Sequence, residues 1–364
     1  MLTKADGFSG IDGPVFNELS RQWEIVTRID PFRMSLARRY CCLAASFSID
    51  WLEWKDEYHK RLDAYNRSPQ AFCRRTELCQ RKLHGLLQDY DVIFQLSSLF
   101  LPSWNRPTKP YAIYLDRTVK MRERYYPDGF GFMTTQELSE LNDLHKRVFN
   151  VADRVFTFNE TTKDSVVNDY GVDSTKVITV GYGVNMPQLP GSEKPHCKLV
   201  LTVCSDFERH RGQMAIDAFE IAHKKVPEAK FIFVGESLKR SANRVEFLPV
   251  VPYNYLMGLY AQASIVVVPS LLGGAQTITD AMANKCVCIA NAGNPYVPGL
   301  IADKENGLLF YKDEPCVVAD LITVALNNEG LIHSMGEKAQ DHIREKFTWA
   351  RAVSNISRHL AEVI

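Results

Sequence analysis

The stretch Ser264–Ala283, SIVVVPSLLGGAQTITDAMA, opens with an apolar β-branched run, breaks at Pro269-Ser270, passes Gly273-Gly274 and continues as a helical pattern. A continuous apolar run of this length reads as a strand buried on both faces, the mark of a parallel sheet covered by helices. Either Gly273-Gly274 is a tight turn, or it lets backbone amides approach a polar ligand at the start of the helix. Gln276, Thr277 and Asp280 would then stand in the first turns of that helix. Asp280 there either accepts from ligand hydroxyls or complements the helix dipole.

The same grammar extends outward. KLVLTV, KFIFVG, VEFLPV and CVCIA alternate with helical patterns through QMAIDAFEIAHKKV and YNYLMGLYAQA, which makes the second half a series of βαβ units. The first half repeats it less cleanly, with a helix at PVFNELSRQ and strands expected at WEIVTR, YDVIFQL, YAIYLD, RVFTF and KVITVGY. Only Met1-Leu2-Thr3 precedes the turn-like ADGFSGIDG, so a strand ahead of the first helix is expected to be missing or truncated. GYGVNMPQLPGSEKPHC is rich in Gly, Pro and polar residues and reads as a linker. The expected organisation is residues 1–190, residues 191–346, and a final helical segment 347–364 that packs back across the junction.

Length and composition agree with two cores: 364 residues at 46% hydrophobic content fill two domains of ordinary size. The 43 basic residues balance the 43 acidic ones, and no nucleic-acid motif stands out, so nucleic acid is not expected as a partner. Nine scattered cysteines lack metal-ligand spacing and read as reduced thiols. No apolar run reaches about 20 residues and the N-terminus lacks a signal-peptide core, so a cytoplasmic location is expected. Lys60–Lys82 carries seven Lys or Arg after Trp51 and Trp54. It reads either as a solvated face or as a basic face for peripheral contact with an anionic membrane.

A second loop, VCSDFERHRG at 203–212, also follows a strand and precedes a helix. Arg209, His210 and Arg211 there either pair with Asp206 and Glu208 or neutralise a diphosphate, to which guanidinium geometry is matched.

The order VCSDFERHRGQMAIDAF, KFIFVGE, LYAQASIVVVPS, GGAQTITDAMANKCVCIA, IADKENGLLF and EKFTWARAVSNI resembles the C-terminal half of the family 4 retaining glycosyltransferases of GT-B fold. The first half is similar more loosely, through SGIDGPVFNEL, YDVIFQ, PYAIYLDRT and VFTFNETTKDSVVNDYGV. The resemblance implies two Rossmann-like α/β domains facing a cleft. The C-terminal one would hold a nucleotide-sugar and the N-terminal one a glycan, lipid-linked or small-molecule acceptor. It implies hexosyl transfer with retained configuration and without metal or other cofactor. Arg209 and His210 take the position of the phosphate-binding Arg/Lys pair, with Arg211 beside them. Gly273, Gly274, Gln276 and Thr277 take the loop around sugar and phosphates, and Asp280 takes the ribose-binding second Glu of the Glu-x7-Glu pattern. Gly10 falls on the loop facing the diphosphate, and Asp116 falls near the catalytic-site His of many members. Gln95 is an acceptor-side candidate, and backbone groups around Val250 are candidates for the base.

Leu272 replaces the first Glu of the pair and His210 the usual Lys. These departures keep open a catalytically silent protein of the same fold that supports a partner transferase, and, further off, another enzyme of this shape such as an epimerase.

Overall fold

The computed structural model describes residues 11–32, 36–86, 90–185, 194, 197–235 and 244–364. The chain divides into two compact units, Met1–Gly181 with Val353–Ile364, and Tyr182–Ala352.

The first unit contains α1 (Asp12–Leu19), α2 (Leu36–Ala45), α3 (Trp51–Arg67), α4 (Pro69–His84), β1 (Ile93–Leu96), β2 (Tyr111–Leu115), α5 (Val119–Tyr125), α6 (Thr135–Val151), β3 (Arg154–Thr157), α7 (Glu160–Asp164) and β4 (Val177–Thr179). Its four strands are parallel in the order β1-β2-β3-β4. Tyr111, Ile113, Val155, Phe72 and Phe149 are buried in its core. α6 begins on a capping box in which Thr134 and Glu137 satisfy each other's backbone N–H groups.

Trp23–Arg28, expected as a strand, is not one. Its side chains alternate between partly buried and exposed, as in a strand, but Ile29 alone forms a bridge. The segment keeps the side-chain period and lacks the ladder. The basic run Lys60–Lys82 is likewise not a single face. Ser68 accepts from the Ala71 N–H at 3.2 Å and starts a new helix with Pro69 in its first turn. Arg67 pairs with Asp63. Arg75 is 4% exposed, donates to the carbonyl oxygens of Leu99 and Asn66, and lies over the Phe32 ring.

The second unit contains β5 (Leu199–Val203), α8 (Gly212–Lys225), β6 (Lys230–Val234), β7 (Val245–Leu248), α9 (Tyr253–Gln262), β8 (Ile265–Val268), α10 (Ala275–Ala283), β9 (Val287–Asn291), β10 (Leu308–Phe310), α11 (Pro315–Leu326) and α12 (Glu329–Lys346). All six strands are parallel, in the order β10-β9-β8-β5-β6-β7. β8 is fully buried, as its composition requires. Phe219 of α8 stacks on Phe231 of β6 with ring centroids 4.6 Å apart, which seats that helix on the sheet. The chain leaves β5 toward β6 and β7 on one side, then returns to β8, β9 and β10 on the other. The topological switch point therefore lies between β5 and β8, where open α/β sheets place their ligands.

α13 (Trp349–Ala361) begins in the second unit and ends in the first. Trp349 Nε1 donates to Asn185 Oδ1 at 3.1 Å within the second unit. In the first, Ser357 Oγ accepts from Trp23 Nε1 at 2.8 Å and Glu362 meets Arg154 at 3.2 Å. Among the described residues no single helix is long and apolar enough to cross a membrane.

Gly235, after β6, has φ +111°, and a Cβ there would stand 2.3 Å from the Cys204 carbonyl oxygen. Both the backbone and the close approach demand glycine. Gly235→Ala is expected to destabilise the protein by at least about 2 kcal/mol, read as a lower urea midpoint.

Candidate active site

Two loops meet at the switch point. Register pairs Val200 with Ile265 and Leu201 with Val266, so the carboxyl ends of β5 and β8 are level and the segments 204–211 and 269–274 emerge side by side. The first is folded around Asp206, whose carboxylate accepts from the Arg209 N–H at 3.1 Å and from Arg209 Nε at 3.0 Å. Partial burial raises the Asp206 pKa, but these hydrogen bonds and the Arg209 charge outweigh it and hold the group below its ordinary value. Asp206 thus fixes the guanidinium through Nε and leaves its far end projecting.

That far end points at the glycines. Arg209 Nη1 and His210 Nε2 lie 3.2 and 3.3 Å from the point a Cβ on Gly273 would occupy. Gly273 has φ +102° and Gly274 φ +81°; Gly274 is the N-cap of α10, and a Cβ on it would press on Val268 at 2.8 Å. Two cationic or titratable side chains therefore face a helix start whose loop has no side chain in the way. Arg211 turns elsewhere. It is left-handed at φ 55°, caps α8, and pairs with Asp313 at 2.6 Å.

Along α10, Gln276 Nε2 donates to Asp280 Oδ1 at 2.9 Å. The Tyr253 hydroxyl is also hydrogen-bonded to this carboxylate. Asp280 is 2% exposed, and burial raises its pKa to about 7 although both hydrogen bonds pull it down. Thr277 is hydrogen-bonded to the buried Tyr260 hydroxyl. Leu272 is 1% exposed, so its side chain is buried within the protein. Val250 lies just beyond β7 and is exposed, two strands from β5.

Asp116 and Gln95 belong to the first unit. Asp116 follows β2 and pairs with Arg117 at 3.0 Å. Gln95, on β1, is fully buried and donates through Nε2 to the carbonyls of Ser97 and Phe100 at 2.8 and 2.9 Å, so its amide shapes the turn after the strand. Gly10 lies outside the described residues.

Asn294 goes beyond the sequence reading. It is 1% exposed, and its Nδ2 donates to the carbonyls of Ser270 and Gly273, both at 2.9 Å. It staples the glycine loop to the end of β9. The signal was present: NAGNP after a buried strand is turn chemistry at the ligand-bearing edge. Asn294→Ala leaves two carbonyls without this donor, and a loss of about 1–3 kcal/mol is expected in urea unfolding, with new proteolytic cleavage inside 270–274.

Comparison with known proteins bears on this geometry. Residues 190–342 match the model of the family described as glycosyl transferases group 1. D-inositol 3-phosphate glycosyltransferase of Corynebacterium glutamicum (strain R) is 31% identical over 336 residues, covering 83% of this chain and 77% of its own. This chain belongs to the glycosyl transferases group 1. Among solved structures, WaaG, a glycosyltransferase involved in lipopolysaccharide biosynthesis, superposes with a TM-score of 0.65 at 14% identity, covering 98% of both chains. Anabaena Alr3699/HepE in complex with UDP-glucose gives a TM-score of 0.59 at 16% identity, over 78% of this chain and 82% of its own. Two Rossmann-like units with parallel sheets are the GT-B fold of these group 1 transferases, as the sequence leads one to expect.

Proposed function

We propose that this group 1 glycosyltransferase moves a hexose-type sugar from a nucleotide-sugar to a glycan, lipid-linked or small-molecule acceptor, with retention and without a metal cofactor. The observation that carries the reading is the approach of Arg209 and His210 to Gly273 at the switch point. There the leaving diphosphate would meet the guanidinium, the imidazole and the amides at the start of α10, which together offset its developing charge. Asp280 takes the ribose hydroxyls, Gln276 and Thr277 orient the sugar and phosphates, and backbone groups near Val250 take the base. Arg211 supports the loop through Asp313 and adds a more distant positive charge.

The acceptor binds to the first unit, where Asp116 takes a hydroxyl of the reacting sugars and Gln95 holds the loop that bounds the acceptor. The acceptor proton passes to the departing phosphate as the new glycosidic bond forms on the face that the phosphate leaves, so no protein nucleophile is required. Two likenesses support the choice of substrates: the Anabaena structure contains UDP-glucose, and the Corynebacterium relative carries the name of an inositol phosphate glycosyltransferase. Nine free thiols fit a reducing cytoplasmic compartment.

A panel of UDP-, GDP-, ADP- and dTDP-sugars tests this by binding and by hydrolysis, with EDTA present in a parallel set. One donor is expected to bind and to turn over slowly in water, unaffected by the chelator. A folded protein that binds none of them overturns the reading.

A further inference from the structure

The turn that joins α2 to α3, residues 46–50, carries apolar side chains into solvent. Ile49 is 99% exposed, and Tyr40, Leu43, Phe47 and Trp51 are exposed around it. Tyr40, Leu43 and Phe47 recur at the spacing that gathers side chains on one face of a helix, and such an apolar face is normally covered. The covered side of α2 is instead that of Cys42 and Ser46. A single exposed Leu or Ile is ordinary. Five apolar or aromatic side chains on one helical hairpin mark a surface that meets something apolar.

The hairpin tip is built before any partner arrives. The Trp54 ring meets Phe47 and Trp51 edge-on, with centroids 5.4 and 5.5 Å away. Its Nε1 donates to the Leu43 carbonyl oxygen at 2.9 Å, which ties the first turn of α3 to α2. Little side-chain freedom is left to lose on binding.

Charge is sorted about α3. About one and two turns beyond Trp51, the exposed Lys55 and His59 follow on its side of the helix, and Arg39 is exposed on α2. By the same period Glu53, Asp56 and Glu57 fall away from Trp51, and Glu57 pairs with Arg61 at 3.1 Å. Asp50, just ahead of α3, is the only acidic residue between Arg39 and Leu52.

A groove on another protein and a lipid bilayer would each cover such a tip, and the order of residue types favours the bilayer. An aliphatic side chain stands outermost, Trp and Tyr rings flank it, and cationic side chains stand behind them. Interfacial segments have this order: aliphatic groups enter the acyl boundary, amphipathic rings stay at headgroup level, and Lys and Arg reach lipid phosphates.

We propose that residues 39–55 dock this chain on a bilayer containing anionic lipids. Ile49 and Phe47 enter the acyl boundary, Tyr40 and Trp51 lie among the headgroups, and Arg39 and Lys55 meet lipid phosphates. The basic run Lys60–Lys82 does not supply this surface, because it is split between two helices and Arg75 lies in the core.

The test is sedimentation of the full chain with vesicles of phosphatidylcholine, alone and mixed with phosphatidylglycerol. Binding to the mixed vesicles is expected, several-fold tighter than to the neutral ones, with that preference lost in high salt. Ile49→Asp is expected to weaken binding at least tenfold. Its melting temperature should match the wild type, because a side chain so exposed contributes little to the fold. Lys55→Glu should abolish the preference for anionic vesicles. The inference is overturned if the chain stays in the supernatant with both kinds of vesicle, or if Ile49→Asp binds as tightly as the wild type. It is also overturned if light scattering shows a wild-type dimer that Ile49→Asp dissociates, which would assign the tip to a second copy. Vesicle binding needs no nucleotide-sugar, so its outcome stands apart from that of the donor panel.

Discussion

Arg209→Ala is expected to lower kcat/KM for the nucleotide-sugar by about 10²–10³-fold, the usual cost of removing one donor aimed at developing charge. The guanidinium is positioned before any ligand arrives, because Asp206 holds Nε at 3.0 Å and the adjoining N–H at 3.1 Å. Its Nη1 then projects 3.2 Å from the Cβ position of Gly273. Little reorganisation remains to be made when the phosphate charge develops. The residue contributes little to folding, since its partner Asp206 is 39% exposed and such a pair is worth about 0–1 kcal/mol. The loss should therefore appear in kinetics while the melting temperature hardly moves. Arg209→Lys should recover only part of the rate, because an ammonium cannot hold Asp206 and reach the phosphate with one planar fork. Initial rates with the donor found in the panel decide this; a rate within threefold of the wild type would remove Arg209 from the phosphate site.

The part of the site that was legible in the sequence is the part whose chemistry is local. IVVV must be a buried strand, and glycines after such a strand with a helix to follow mark the carboxyl edge of a parallel sheet. What was illegible depends on partners distant in the chain. Trp23–Arg28 has the alternation of a strand, but alternation speaks of side chains, and a ladder needs a neighbouring backbone. Counting charges from Lys60 to Lys82 gives a basic face. It does not reveal that Arg75 serves two backbone carbonyls from inside the core. Asn294 reaches the site from the turn after β9 and Tyr253 from the first turn of α9, across 21 and 27 positions to Gly273 and Asp280. Leu272 was legible as an apolar residue in a polar loop, and its side chain is buried at 1% exposure.

Asp280→Asn should move stability and donor binding in opposite directions. Burial lifts the Asp280 pKa from an ordinary 3.8 to about 7. In that window the folded chain keeps a proton that the unfolded chain has released, so stability falls as pH rises through it. The full cost of ionising this carboxyl is about 4 kcal/mol, of which about 2–3 kcal/mol accrues between pH 5 and pH 8. An asparagine has no charge to bury, and the Gln276 amide can turn to meet either end of it. Urea unfolding should show the variant gaining on the wild type by that amount from pH 5 to pH 8; a constant difference would mean that the carboxyl titrates normally. Nucleotide binding should do the reverse. The ionised form accepts hydrogen bonds from ribose hydroxyls most strongly, so the wild type should bind its donor several-fold tighter at pH 8 than at pH 6. The variant should bind weakly and without pH dependence. Such a split is the expected mark of a group kept for a ligand, where the folded state is less stable than it could be because the site needs a buried charge.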